Sequence, residues 1–275
     1  MSIFDRGFDD QLFYEQDEIK DSKQPFKKNK SLPVLSGLKV QKLDSLSTGF
    51  KQRPYMESHD IPHFPSSCVF VGGSGTGKTT ACMNLFRNKD CYLDYFDEIF
   101  LYSKTGKSDD MAKYLDLDDE HIVTDDLVDK LEKLMEKLKK EADTLKPQNM
   151  KKRMIIFEDL TANKKLMTSP PFLKCFVQNR HIALSVIANI HKYKALERTC
   201  RLSTNYVIAF KCPLSDRIQM AEDHVPPGLE EKEMLELMNI AFEPTKDNER
   251  PFLVINNCVP TDLKFRKCWD SVIRF

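Results

Sequence analysis

Apolar residues recur along this chain in two rhythms. Short apolar runs, bounded by turn residues, fall at 68–71, 98–102, 154–157, 183–190, 206–210 and 252–256. Their length and their content of β-branched and aromatic residues predict buried strands. Between them lie stretches of helical period. In the clearest, Asp126 to Leu145, residues Leu127, Val128, Leu131, Leu134, Met135, Leu138 and Ala142 share one face, with Lys and Glu between them. An amphipathic helix of this kind is read as a cover for a sheet. Apolar strands alternating with helices predict an α/β fold, a mostly parallel central sheet flanked by helices on both faces. Residues 1–50 follow neither rhythm. They are polar and charged, include Lys27-Lys28-Asn29-Lys30, and offer one short helical stretch at Asp9 to Ile19. They are expected to form a flexible N-terminal tail ahead of a single domain over 51–275.

The strand at 68–71 changes the picture most, because it runs straight into Gly72-Gly73-Ser74-Gly75-Thr76-Gly77-Lys78-Thr79-Thr80. This is the phosphate-binding loop pattern Gly-x-x-x-x-Gly-Lys-Thr, in strand-loop-helix context, with the helix expected from Thr80 to about Phe86. Glycines let the backbone turn tightly and aim its N–H groups at phosphate oxygens. Lys78 supplies a cation for the β- and γ-phosphates, the Thr79 hydroxyl is a ligand for Mg²⁺, and the helix N-terminus favours the same anion.

Such a loop needs acids for metal and water. The apolar run Met154-Ile155-Ile156-Phe157 ends in Glu158-Asp159, and strand ends are where ligands gather in open α/β sheets. Glu158 is assigned to Mg²⁺ and Asp159 to the attacking water, as base or positioning group. Two guanine-nucleotide patterns fail: Asp159 is followed by Leu160-Thr161-Ala162 rather than a glycine at the third place, and Asn163-Lys164-Lys165 is followed by Leu166. ATP is therefore the expected nucleotide. Asn189 and His191, at the end of the 183–190 strand, are sensor candidates for the γ-phosphate. Arg201 and Arg180 are candidates for a finger reaching a neighbouring subunit's nucleotide, Arg201 first.

The 275 residues carry 42 basic and 42 acidic side chains, so contact with nucleic acid has to come from local clusters. Ser103-Lys104-Thr105-Gly106-Lys107 and Asn163-Lys164-Lys165 are the candidates, suited to phosphates rather than bases. The longest apolar run, Ile182 to Ile190, is too short to span a bilayer. The first residues lack a signal-peptide profile. Eight cysteines without a Cys-x-x-Cys pair suggest a reduced intracellular setting and no zinc site.

In order and spacing, the loop at 72–79, Ile155-Ile156-Phe157-Glu158-Asp159, Asn179-Arg180-His181, His191-Lys192-Tyr193 and Arg201 resemble the poxvirus-type DNA-packaging ATPases of the FtsK–HerA superfamily. The similarity spans about residues 65 to 270 and includes a basic-aromatic ending at Phe265-Arg266-Lys267-Cys268-Trp269. The resemblance implies an ATPase that drives double-stranded DNA into a preformed capsid, acting as a ring of about five or six copies. It also implies an extra strand between the loop strand and the acidic strand. Expected partners are double-stranded DNA, capsid proteins and other copies of the chain, in host-cell cytoplasm, virus factory or virion, with no membrane. Alternatives are another P-loop ATPase acting on DNA, such as a helicase loader or DNA-transfer motor, and a nucleotide-binding regulator without turnover.

Overall fold

The computed structural model describes residues 50–59, 61–146, 149–246, 248–269 and 271–274. Of the expected tail over 1–50, residues 1–49, with the short helix and the basic run at 27–30, lie outside the described residues; Phe50 is buried, its ring edge-on to Phe64 at 4.9 Å, so the domain includes it. In chain order the elements are α1 (Pro54–Ser58), β1 (Ser67–Val71), α2 (Lys78–Arg87), β2 (Glu98–Ser103), α3 (Asp110–Leu115), β3 (Ile122–Val123), α4 (Leu127–Thr144), β4 (Arg153–Glu158), α5 (Lys164–Met167), α6 (Pro170–Val177), β5 (Leu184–Ile190), α7 (Arg198–Ser203), β6 (Tyr206–Ala209), α8 (Leu214–His224), α9 (Glu231–Phe242), β7 (Leu253–Asn256), β8 (Phe265–Lys267) and β9 (Ser271–Val272).

The strands of the described residues form one sheet in the order β3-β2-β4-β5-β1-β6-β7-β8-β9. From β3 to β6 all pairs are parallel, and β7, β8 and β9 continue the sheet antiparallel. The order carries the expected extra strand: β5 pairs with β1 on one side and β4 on the other. Strand β1 thus has neighbours reached by crossovers in opposite directions, which opens a crevice at its carboxyl end.

Alternation of side chains splits the core into two layers. Val69, Val71, Ile155, Phe157, Val186 and Ala188 face the layer covered by α4 through α9. Cys68, Phe70, Met154, Ile156, Ile187 and Ile208 face the layer containing α1, α2 and α3. Helix α4 buries Leu127, Leu131, Met135 and Leu138, with Val128, Leu134 and Ala142 partly buried on the same core. It therefore serves as sheet cover. Its far end is tied down by Arg153, which is 2% exposed and pairs with Glu98 of β2 at 2.5 Å and Glu141 of α4 at 2.8 Å. A buried guanidinium needs such partners, since an unpaired buried charge is strongly destabilising.

Three strands escaped the sequence reading. β3, β8 and β9 are two or three residues long, too short to show a period. They are defined by what they pair with rather than by their own pattern.

Candidate functional site

The loop after β1 has the shape that its glycines dictate. Gly75 and Gly77 have φ of +70° and +99°, a region that L side chains rarely enter. At Gly72 a Cβ would come within 2.7 Å of the Phe210 Cβ, so no side chain fits between the loop and the end of β6. Helix α2 then starts at Lys78, two residues before the start expected from sequence, with Gly77 as its N-cap and no capping side chain. Its first N–H groups therefore need a partner from outside the helix, and an anion is the natural one. The donor set and the tight cradle fit the phosphates of a nucleotide. Lys78 Nζ donates to the carbonyls of Gly72 and Gly73, each at 2.9 Å. Burial lowers the Lys78 pKa, while the charges of Glu158 and Asp159 work in the opposite direction.

The acidic strand end meets this loop across β5. The Thr79 hydroxyl donates to Glu158 Oε1 at 3.1 Å, and Asn189 Nδ2 donates to Glu158 Oε2. The register explains the second contact, because Glu158 and Asn189 are directly paired between β4 and β5. Burial pushes the Glu158 carboxyl from its ordinary 4.5 up to about 7, and the nearby Asp109 carboxylate adds to the rise. Hydrogen bonds from Asn189 and Thr79 and the Lys78 charge oppose it. Asp109 was missed in the sequence. It caps α3 and accepts hydrogen bonds from Ser103, the last residue of β2, and Thr105 in the loop that follows. Thr79 and Glu158 are hard oxygen donors within reach of one another, which fits Mg²⁺.

Asp159 differs from its neighbour. Its backbone has φ of +49°, which turns the chain out of the strand, and its side chain is 65% exposed. His191 Nε2 lies 2.6 Å from Asp159 Oδ1, and His191 Nδ1 lies 3.4 Å from the Gly72 carbonyl oxygen. One imidazole thus bridges the phosphate loop and the exposed acid. The two sensor candidates have separate partners: Asn189 on Glu158, His191 on Asp159.

The arginines are placed otherwise. Arg201 is held inside the subunit, its Nε donating to Asp223 Oδ2 at 2.6 Å and its Nη1 to the Leu196 carbonyl at 2.7 Å. It also lies over the Tyr193 ring, whose hydroxyl is 2.7 Å from His224 Nε2. Within the subunit, the guanidinium of Arg201, the first candidate for a finger, is engaged in an ion pair whose side chains are 11% and 6% exposed. The network anchors the segment that follows His191. Arg180 and His181 are exposed and precede β5, so they lie at the amino edge of the parallel strands, opposite the phosphate loop. They line a cavity of about 910 Å³ with Ser66, Asn179, Thr204 and Asn257.

A family model described as "Poxvirus A32 protein" matches residues 57–273. The chain belongs to the poxvirus A32 family. This A32-family chain is 22% identical over 223 residues to the DNA packaging protein OPG160 of Monkeypox virus, covering 80% of the chain and 72% of that protein. Among solved structures it is similar to the genome packaging NTPase B204 of Sulfolobus turreted icosahedral virus 2, in complex with AMP. That match has a TM-score of 0.51 and 13% identity, and covers 76% of this chain and 98% of the other. EssC (ATPases 2 and 3) from Geobacillus thermodenitrificans gives a TM-score of 0.52 at 10% identity, covering 75% of this chain and 39% of that one. The A32-family chain thus has the fold of these ATPases.

The raised Glu158 pKa has a measurable sign. The folded protein holds this proton more tightly than the unfolded chain, so stability falls as pH rises from 4.5 to about 7 and then levels off. Glu158→Gln removes that loss. In urea unfolding of the nucleotide-free protein, its gain over wild type should be larger at pH 8 than at pH 5.5 by about 2 kcal/mol. Equal differences at the two pH values would show that the carboxyl is not proton-bound in the folded state.

Proposed function

We propose that this chain is an ATP-driven motor that moves double-stranded viral DNA into a preformed capsid. The observation that carries the reading is the convergence of Lys78, Thr79, Glu158, Asp159, Asn189 and His191 at one sheet edge, in a chain of the poxvirus A32 family. A protein that merely held nucleotide would have no use for the exposed acid Asp159 beside the phosphate loop. Lys78, released from the Gly72 and Gly73 carbonyls, neutralises the β- and γ-phosphates. Thr79 and Glu158 would hold Mg²⁺, which when bound shields the phosphate charge. Asp159 takes the proton of the attacking water as the oxygen bonds to the γ-phosphorus and the β–γ bridging oxygen departs with ADP. His191 fixes the orientation of Asp159 and ties it to the Gly72 carbonyl, so a change at the phosphates is felt by the acid.

The DNA would contact the same edge. The segments after β2 and β4 leave neighbouring strands; the first carries exposed Lys104, and the second opens α5 with exposed Lys164 and Lys165 rather than forming the expected basic loop. Lys107 is paired with Asp119 at 2.5 Å and contributes less. Among the described residues no helix is long and apolar enough to cross a membrane.

Steady-state hydrolysis with and without double-stranded DNA tests this reading. Asp159→Asn should lower turnover by ~10²–10⁴-fold while ATP still binds. Wild-type turnover should rise with DNA, and the Lys104→Ala/Lys164→Ala/Lys165→Ala variant should lose that rise while keeping its basal rate. Wild-type turnover by Asp159→Asn would remove the assigned base, and DNA stimulation undiminished in the triple variant would remove these segments.

A translocating motor of this kind is proposed to act as a ring, with Arg180 as the finger between subunits. Its exposure, against the burial of Arg201, supports the choice. Mixtures of inactive Arg180→Ala and inactive Lys78→Ala subunits should recover part of the turnover. Mixed rings that form without any recovery would count against a finger acting in trans.

A further inference from the structure

The hydrolytic residues all lie on the β4–β5 side of the phosphate loop, while the opposite side is built by β6 and β7. Strand β7 is antiparallel, and Leu253 at its start pairs with Ala209 at the end of β6. The segment entering β7 is therefore delivered to the same edge as the phosphate loop. Arg250 lies on that segment. A Cβ placed on Gly77 would be 3.7 Å from Arg250 Cδ and 3.8 Å from Arg250 Cβ, with the Phe210 ring also at 3.7 Å. The arginine stem thus lies against the N-cap of α2, where the loop's N–H groups emerge.

This placement is supported from behind. Asn248 Oδ1 accepts the Arg250 backbone N–H at 2.9 Å, and Asn248 Nδ2 donates to Cys268 Sγ at 3.2 Å. Asn248 is fixed in turn by Thr245, whose hydroxyl accepts the Asn248 N–H at 3.1 Å and whose N–H donates to the Asn248 carbonyl at 2.9 Å. Beneath the loop the Phe210, Phe252 and Trp269 rings form a wall, with centroids 5.0 Å and 5.3 Å apart. Arg250 itself is exposed, so its guanidinium stands where a ligand can reach it.

We propose that Arg250 is a nucleotide-binding residue of this site, holding the nucleoside end of the ligand through its α-phosphate. Lys78 points to the Gly72 and Gly73 side of the loop, towards Glu158 and Asp159, and so serves the transferred end. A second cation over Gly77, across the loop from the acids, serves the α-phosphate, one of the two phosphates that ATP and ADP share. A guanidinium suits it, with several donors in a planar fork that matches phosphate oxygens. The residue gave no signal in the sequence, because only the antiparallel return of β7 brings it to the loop.

The inference rests on the nucleotide reading of the phosphate loop, and the test separates the two. Dissociation constants for ATP and ADP are measured by calorimetry on the full chain as wild type, Arg250→Ala and Arg250→Lys. Melting temperatures without nucleotide confirm that the variants fold. Arg250→Ala should weaken ATP and ADP by the same factor, about tenfold or more, the size of a lost charge-assisted hydrogen bond. Arg250→Lys should recover part of the loss. Unchanged constants in Arg250→Ala would overturn the inference while leaving the ATPase reading intact. A loss confined to ATP would also overturn it by moving the contact to the γ-phosphate, as would a loss that lysine does not recover. A wild-type chain that binds neither nucleotide would overturn both readings.

Discussion

Everything at this site depends on one buried carboxyl, that of Glu158. It ends β4, accepts hydrogen bonds from Thr79 of the phosphate loop and Asn189 of β5, and so joins three elements that are far apart in sequence. Burial makes its charge expensive, and the chain supplies a hydroxyl, an amide and the nearby Lys78 in partial compensation. A proton can remain there until a divalent cation and the phosphates arrive to replace it. In the proposed metal role, affinity would be coupled to pH, since the ligand must lose a proton to bind. The inserted strand β5 makes the arrangement possible, because only its register sets Asn189 opposite Glu158 while the next residue but one, His191, reaches Asp159.

Two adjacent carboxyls consequently take different work. Glu158 is the last residue of its strand and is buried in a hydrogen-bonded site. Asp159, turned by its left-handed backbone, stands largely in solvent beside His191. Under the proposed mechanism, environment alone would divide the roles of metal ligand and base between two side chains of the same chemistry. The arginines divide in a similar way. Arg201 is bound into an internal network with Asp223, Tyr193 and Leu196, whereas Arg180 is exposed at the opposite edge of the sheet.

Much of this could be read from the sequence. The P-loop and the run ending in Glu158-Asp159 are local patterns, and each six-residue strand or long amphipathic helix carries its own period. The extra strand followed from the family resemblance and the apolar run at 183–190. What stayed hidden depends on pairing. The hydrogen bond between Asn189 and Glu158 is a property of register, and the commitment of Arg201 depends on α8 bringing Asp223 to α7. Arg250 depends on an antiparallel strand that returns beside β6, and Asp109 on a loop that folds back towards the end of β4. None of these contacts has a sequence spacing that could announce it. Short β3, β8 and β9 were invisible because two or three residues do not make a period.

The claim that Glu158 is the metal-holding acid of an ATP site is most directly tested by titrating Mn²⁺ into the protein with saturating ATP, followed by electron paramagnetic resonance across pH 5.5 to 8.5. In wild type, the affinity for Mn²⁺ should rise with pH and level off above about 7, as the carboxyl gives up its proton. In Glu158→Gln the affinity should be weaker by at least tenfold and should lose that pH dependence. Wild-type affinity and an unaltered pH profile in Glu158→Gln would contradict the account.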